Sequence, residues 1–155
     1  MAFIFPAPGV AGVQMTLAVK VSTDTASLSV PAVQDITINN ANDVFTWTQL
    51  DSGSKQQVPT TATNDLSFNI VLDQTAFFGS GIGADVAVKD GLFGLSKNKQ
   101  LIQFTLYLGD TSTGAAGKTL TGNAYVTGLA PTVSADSPVW VSPVTLTVTG
   151  DYTVA

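Results

Sequence analysis

Val13-Gln14-Met15-Thr16-Leu17-Ala18-Val19-Lys20-Val21 places an apolar residue at every odd position and a polar or small one between. Successive side chains of a strand point to opposite faces, so this stretch predicts a β-strand with one buried face. The same alternation returns at Leu66, Phe68, Ile70 and Leu72, with Ser67 and Asn69 between them. It returns at Ile102, Phe104, Leu106 and Leu108, and again at Val144, Leu146 and Val148 against Thr145, Thr147 and Thr149. Shorter strands are predicted over 33–38, 44–50 and 120–127. Val and Thr suit a pleated surface. The class that follows is mainly antiparallel β.

Turn chemistry separates these runs. Asn39-Asn40-Ala41-Asn42-Asp43 predicts a tight hairpin between two short strands, and Gly109-Asp110-Thr111-Ser112-Thr113-Gly114, continuing to Gly117, a flexible connection. A further connection is expected from Pro131 to Pro138. Pro143 falls inside the last strand, which must there be an edge or bend. Two segments could be helical, and one of them is expected to form beside the sheet. In 73–79, Asp73 would cap a short helix and Gly79 would end it. In 84–95, Val86, Phe93 and Leu95 could face inward, but Gly91 and Gly94 are weak helix formers. No repeat and no linker divides the chain, so 1–155 is expected to be one β domain.

One segment breaks the rhythm. Asp51-Ser52-Gly53-Ser54-Lys55-Gln56-Gln57-Val58-Pro59-Thr60-Thr61-Ala62-Thr63-Asn64-Asp65 is polar, carries no clear period and lies between two strands. It reads as a long loop, and long loops inside compact domains tend to be functional or disordered. It is either a mobile hairpin tip or a loop that orders on contact with another subunit.

Composition narrows the chemistry. Among 155 residues there is no Cys, His, Arg or Glu; the acidic residues are 11 Asp and the basic ones 6 Lys. That removes disulfides, thiolate nucleophiles and Cys-type zinc sites, the usual neutral-pH general base, and the guanidinium fork for phosphate. No catalytic residue, cofactor site or metal site is expected. A hydrolase using two Asp is the enzyme class left open, but the Asp residues sit at turns and strand ends where backbone bonding accounts for them. Gly79-Ser80-Gly81-Ile82-Gly83 mimics a phosphate loop without its Lys-Ser/Thr, and Ser80 has no His to activate it. Net charge is −5, which disfavours tight binding to nucleic acid. The run Ser96-Lys97-Asn98-Lys99 reads as a solvated turn. Trp47, on the strand face of Phe45, and Trp140, between Val139 and Val141, read as core or subunit-interface residues rather than a sugar platform. Charged residues make up only 11%, which leaves a lone monomer poorly defended against self-association. Met1-Ala2-Phe3-Ile4-Phe5-Pro6 lacks a basic region and is broken by Pro6 and Pro8, so no secretion signal is expected, and no apolar run is long enough to span a bilayer. A soluble product made in the cytoplasm is expected.

The C-terminal half carries a resemblance. Phe104-Thr-Leu-Tyr-Leu-Gly-Asp, then Leu120-Thr-Gly-Asn-Ala-Tyr-Val-Thr-Gly-Leu, then Ser137-Pro-Val-Trp-Val-Ser-Pro-Val-Thr-Leu-Thr-Val-Thr-Gly-Asp gives a strand, a second strand, a connector and a closing strand ending in Thr-Gly. This resembles the major tail tube proteins of long-tailed bacteriophages. The strand, long loop and strand over 44–72, followed by a short helix, is similar to that family as well. The resemblance implies a β-sandwich or partly closed barrel with one short flanking helix. It also implies hexameric rings whose inner sheets join around a channel, stacked head to tail into the tail tube of a virion. The partners implied are other copies of the chain, other tail proteins, and DNA passing without sequence-specific binding, with no membrane. The family's stacking loop corresponds by position to 51–65. A net-negative subunit would let a polyanion slide by like-charge repulsion. The reading from a different class is an immunoglobulin-like binding or decoration module on a virion or cell surface.

Overall fold

The computed structural model of the chain describes residues 15–30, 33–51, 53–108 and 117–155. The expectations at Val13 and Gln14, at Met1 to Pro8 and at Gly109 to Gly114 lie outside those residues. In chain order the elements are β1 (Met15–Lys20), β2 (Leu28–Val30), β3 (Val33–Thr48), β4 (Lys55–Val71), α1 (Gln74–Phe78), α2 (Val86–Lys97), β5 (Ile102–Leu108), β6 (Lys118–Leu129), β7 (Thr132–Ser134) and β8 (Ser137–Val154). The strands form one antiparallel sheet of order β2-β1-β5-β6-β8-β4-β3, with β7 paired to β8. The sheet curls into a half-barrel. Of the two arrangements expected, this is the partly closed barrel.

The alternating runs fix the register. Leu17 lies opposite Leu106, Ile102 opposite Ala124, Val126 opposite Leu146, and Leu66 opposite Leu146 on the other flank of β8. Residues facing each other across a ladder share a face, so the apolar sets of all these strands fall on one side. That side is buried and is covered in part by α2, which packs on β6 and β1. Pro143 stands in a central strand rather than an edge. β6 leaves β8 at Leu129↔Val144 and β7 joins at Thr132↔Val141, so one flank has no regular ladder at Pro143.

Both helical segments form, where one was expected. Asp73 caps α1 by accepting from the Ala76 N–H at 2.9 Å, and Gly79 ends it at φ 82°. α2 survives its glycines because Gly91 is not helical: at φ 67° and ψ −178° it kinks the chain. The kink lets the backbones of Gly91 and Gly79 meet. A Cβ on Gly91 would lie 2.6 Å from the Phe77 carbonyl oxygen, and one on Gly79 would lie 2.6 Å from the Asp90 carbonyl carbon. Ser80 and Gly81 donate their N–H groups to the carbonyls of Val88 and Lys89, both at 3.0 Å. Gly79 donates to the Thr75 carbonyl of α1 at 2.9 Å, so three consecutive N–H groups of this stretch are bonded to the two helices rather than turned toward a phosphate.

The N-terminus of α2 is held from far along the chain. Asp85 stands at the cap position but makes no capping bond. The buried carboxylate of Asp24 does so instead, accepting from Val86 N–H at 2.6 Å and Ala87 N–H at 2.9 Å, and from Val21 N–H at 3.0 Å. Asp85 reaches back to accept from the Thr25 N–H at 2.7 Å and the Thr25 hydroxyl at 3.1 Å. The backbone N–H groups of Thr25 and Ala26 hold the Asp85 carboxyl below its ordinary value. A depressed carboxylate stabilises the fold above its unfolded-state value, 3.8, and that contribution is lost as pH falls through the lower folded-state value. Urea midpoints of the parent chain should therefore fall below about pH 4 more steeply than those of Asp85→Asn. Parallel curves for the two would exclude this contribution.

Candidate assembly surface

The structure corrects both sequence expectations at the hairpin. Asn39 to Asp43 is not a turn, and 51–65 is not a loop. β3 and β4 form one ladder from Val33↔Ile70 to Thr48↔Lys55, so Lys55 to Asp65 lie in strand, and of the described residues between them 49–51, 53 and 54 are outside it. Asn and Asp are poor strand formers in isolation, but here the pairing partner decides. Val44, Phe45, Val58, Thr60, Thr61 and Thr63 supply β-branched and aromatic residues, and Phe45 lies directly opposite Val58. Asp43 faces two residues, Thr60 and Thr61, because the bulge between Asn42↔Ala62 and Val44↔Pro59 places its extra residue on β4. Its carbonyl oxygen accepts from the Thr60 hydroxyl at 3.2 Å and its carboxylate from the Thr61 hydroxyl at 2.9 Å, which pins the irregularity. Pro59, opposite Val44, sits just beyond the bulge, where a missing N–H does least harm.

Half of this ladder leaves the body. β4 pairs with β8 only from Asp65↔Thr147 to Val71↔Val141. Residues 39–48 and 55–64 continue as a two-stranded arm about 30 Å long, exposed throughout except for Asn64. Among the described residues neither edge of the arm is paired, so two rows of strand N–H and C=O groups face outward. Beyond the bulge β3 keeps its alternation, so Val44, Thr46 and Thr48 continue the core face of Ile36 and Ile38, whereas Val58 and Gln56, and with them Phe45 and Trp47, fall on the other face. Their rings stack with centroids 5.8 Å apart, yet Phe45 is 58% exposed, Trp47 37% and Val58 44%. The arm thus carries bare apolar residues on both faces, Val44 on one and Phe45, Trp47 and Val58 on the other. At the arm's root Asn64 is buried, its Oδ1 without a partner among the described residues, beside a small notch lined by Ile38, Leu66, Val148 and Tyr152.

Of the sequence-predicted site, Ser52 lies outside the described residues, Asp51, Gly53 and Ser54 are in the turn, Lys55 to Asn64 are in the arm, and Asp65 is in the body, paired with Thr147. Sequence reasoning missed the other half of the surface, residues 39–48 of β3. Both tryptophans are exposed in the subunit, Trp140 at 52%, so neither is a core residue.

The opposite face of the sheet is polar. Thr105, Thr121, Asn123, Tyr125, Thr145, Thr147, Ser67, Asn69 and Thr37 pair across its strands. Thr121 and Thr153 hydroxyls lie 2.6 Å apart and those of Thr127 and Thr147 2.9 Å apart. The charges among its paired positions are Lys20, Asp35 and Asp65.

No family model and no curated protein matches the sequence. Solved structures do. The chain is similar to the tail of an empty gene transfer agent particle of C6 symmetry, at TM-score 0.65, 9% identity, and coverage of 91% of this chain and 95% of that one. It is similar to the SPP1 tail tube at TM-score 0.62 and 12% identity, covering 94% of this chain and 78% of that one. A chain of the anti-feeding prophage baseplate, six-fold symmetrised, matches at TM-score 0.64 and 8% identity over 96% and 97%. With the half-barrel, its flanking helices and the protruding hairpin already described, these likenesses establish that the chain has the tail tube fold.

Proposed function

We propose that this chain is a structural subunit of a virion tail tube, assembling into hexameric rings that stack around a channel for the genome. The observation that carries this reading is the arm, in which a ten-residue extension of each of two strands lies outside the fold with its apolar strip bare. A two-stranded ribbon is marginally stable by itself, so such an arm needs a neighbour to complete it. The tail tube fold supports the choice of neighbour: other copies of the same chain, with other tail proteins at the ends. Residues 51–65 keep the stacking role, as the turn and one strand of the arm rather than as a loop. The role is structural, with no catalysis.

The polar face is the side we assign to the channel. It presents hydroxyls and amides with few charges, so DNA passes a wall that offers it little to bind; like-charge repulsion is the smaller effect there. The test is to concentrate the purified protein and image it by negative stain. Six-fold rings and tubes are expected, whereas a persistent monomer that binds glycans would favour the decoration module. Hydrogen exchange gives a second readout. Amides of 39–48 and 55–64 should exchange quickly in the isolated subunit and gain at least ~100-fold protection on assembly. Equal exchange in both states would remove the arm from the interface.

A further inference from the structure

We propose that the arm of one copy seats on the β7–β8 hairpin of a second copy, with Trp47 against Trp140 and Lys55 against Asp136. The inference rests on the stacking reading above and names the receiving surface. β4 and β8 are antiparallel, so their first residues, Lys55 and Ser137, stand at opposite ends of the sheet. The span of β4 puts the arm tip and the β7–β8 hairpin about 50 Å apart within one subunit. Each end carries exposed apolar residues: Phe45, Trp47 and Val58 on the arm, and Val133, Val139 and Trp140 at the hairpin. Trp140 follows the even positions of β8, with Ser142, Val144 and Leu146. Trp140 is also held in place, since its carbonyl accepts from the Leu72 N–H at 2.9 Å.

The charges match as well. Lys55 is the only cation in 39–64, and Asp136 is the only charged residue in 129–150. Both are exposed. Two different surfaces at opposite ends of one molecule make a contact that repeats without closing, which is the geometry of a stack. The aromatic pair supplies the affinity, while an exposed ion pair adds little energy and sets the register.

The absence of cysteine makes the pairing directly testable. Lys55→Cys combined with Asp136→Cys, oxidised at a tube-forming concentration, should give a ladder of covalent oligomers on a non-reducing gel. Either single variant should give no ladder. A bridge within one subunit is excluded, because a disulfide needs Cα atoms within about 7 Å. Tubes without a ladder overturn this pairing and leave the tube reading standing. A parent chain that stays monomeric at every concentration overturns both. Charge reversal covers the case in which the cysteine variant does not assemble. Lys55→Asp or Asp136→Lys should each raise the critical concentration roughly five-fold. The double reversal should restore it, and failure to restore overturns the pairing.

Discussion

Replacing residues 43–61 by the dipeptide Asn-Gly is expected to yield a folded subunit that forms no tubes at any accessible concentration. The cut is set by register. Asn42 and Ala62 face each other, so a two-residue turn can close the ladder there without shifting any pair nearer the body. Every described residue removed is exposed, so the core loses nothing. The urea midpoint should correspond to a change within about 0.5 kcal/mol. Assembly, in contrast, loses Phe45, Trp47, Val58 and both open strand edges together. A milder version grades the effect. Phe45→Ser and Trp47→Ser should each cost about 2 kcal/mol of contact, near 30-fold in critical concentration. Tubes of normal length from the shortened chain, seen by negative stain, would remove the stacking role from 51–65.

Gly91→Ala is expected to cost the fold about 3–5 kcal/mol. Two costs add. At φ 67° and ψ −178° the backbone lies in a region essentially reserved for glycine. The new Cβ would also press on the Phe77 carbonyl and the Gly79 backbone, forcing α1 away from α2 and Phe77 out of the core. Gly81→Ala is the control: it has φ 74° but open space around it, so only the backbone cost of about 1 kcal/mol applies. Urea denaturation of the two variants separates strain from packing. Equal losses would mean that the close approach of the two helices contributes nothing.

What the sequence made legible is what burial imprints. Leu17, Leu66, Phe68, Phe104 and Leu146 alternate because one side of each strand is packed, and all five are buried. Asp73 and Gly79 were readable because a helix cap is local chemistry. The arm left no such trace. Exposed on both faces, it has no reason to alternate, so its Asn- and Thr-rich strands resemble a turn and a loop. Its pairing is a property of two segments together, and neither segment shows it alone. The capping of α2 was illegible for a similar reason: Asp24 reaches Val86 across 62 positions, a contact that exists only once β1 and α2 have met. The interior of α2 was misleading in the opposite sense, since Gly91 looks like a helix breaker and is one, placed where a break brings two backbones together.

The bare arm has a kinetic consequence. In the proposed tube, two free subunits that meet must each give up the freedom of an arm while gaining only one of its contacts. A subunit landing on an existing ring finds the whole set waiting, and the ordering cost is met at once. Polymerisation is then slow to nucleate and fast to elongate. A pool of unassembled subunits persists until some other structure presents a starting ring. Tail length would accordingly be decided by that starter and by whatever stops growth, and not by the abundance of this chain.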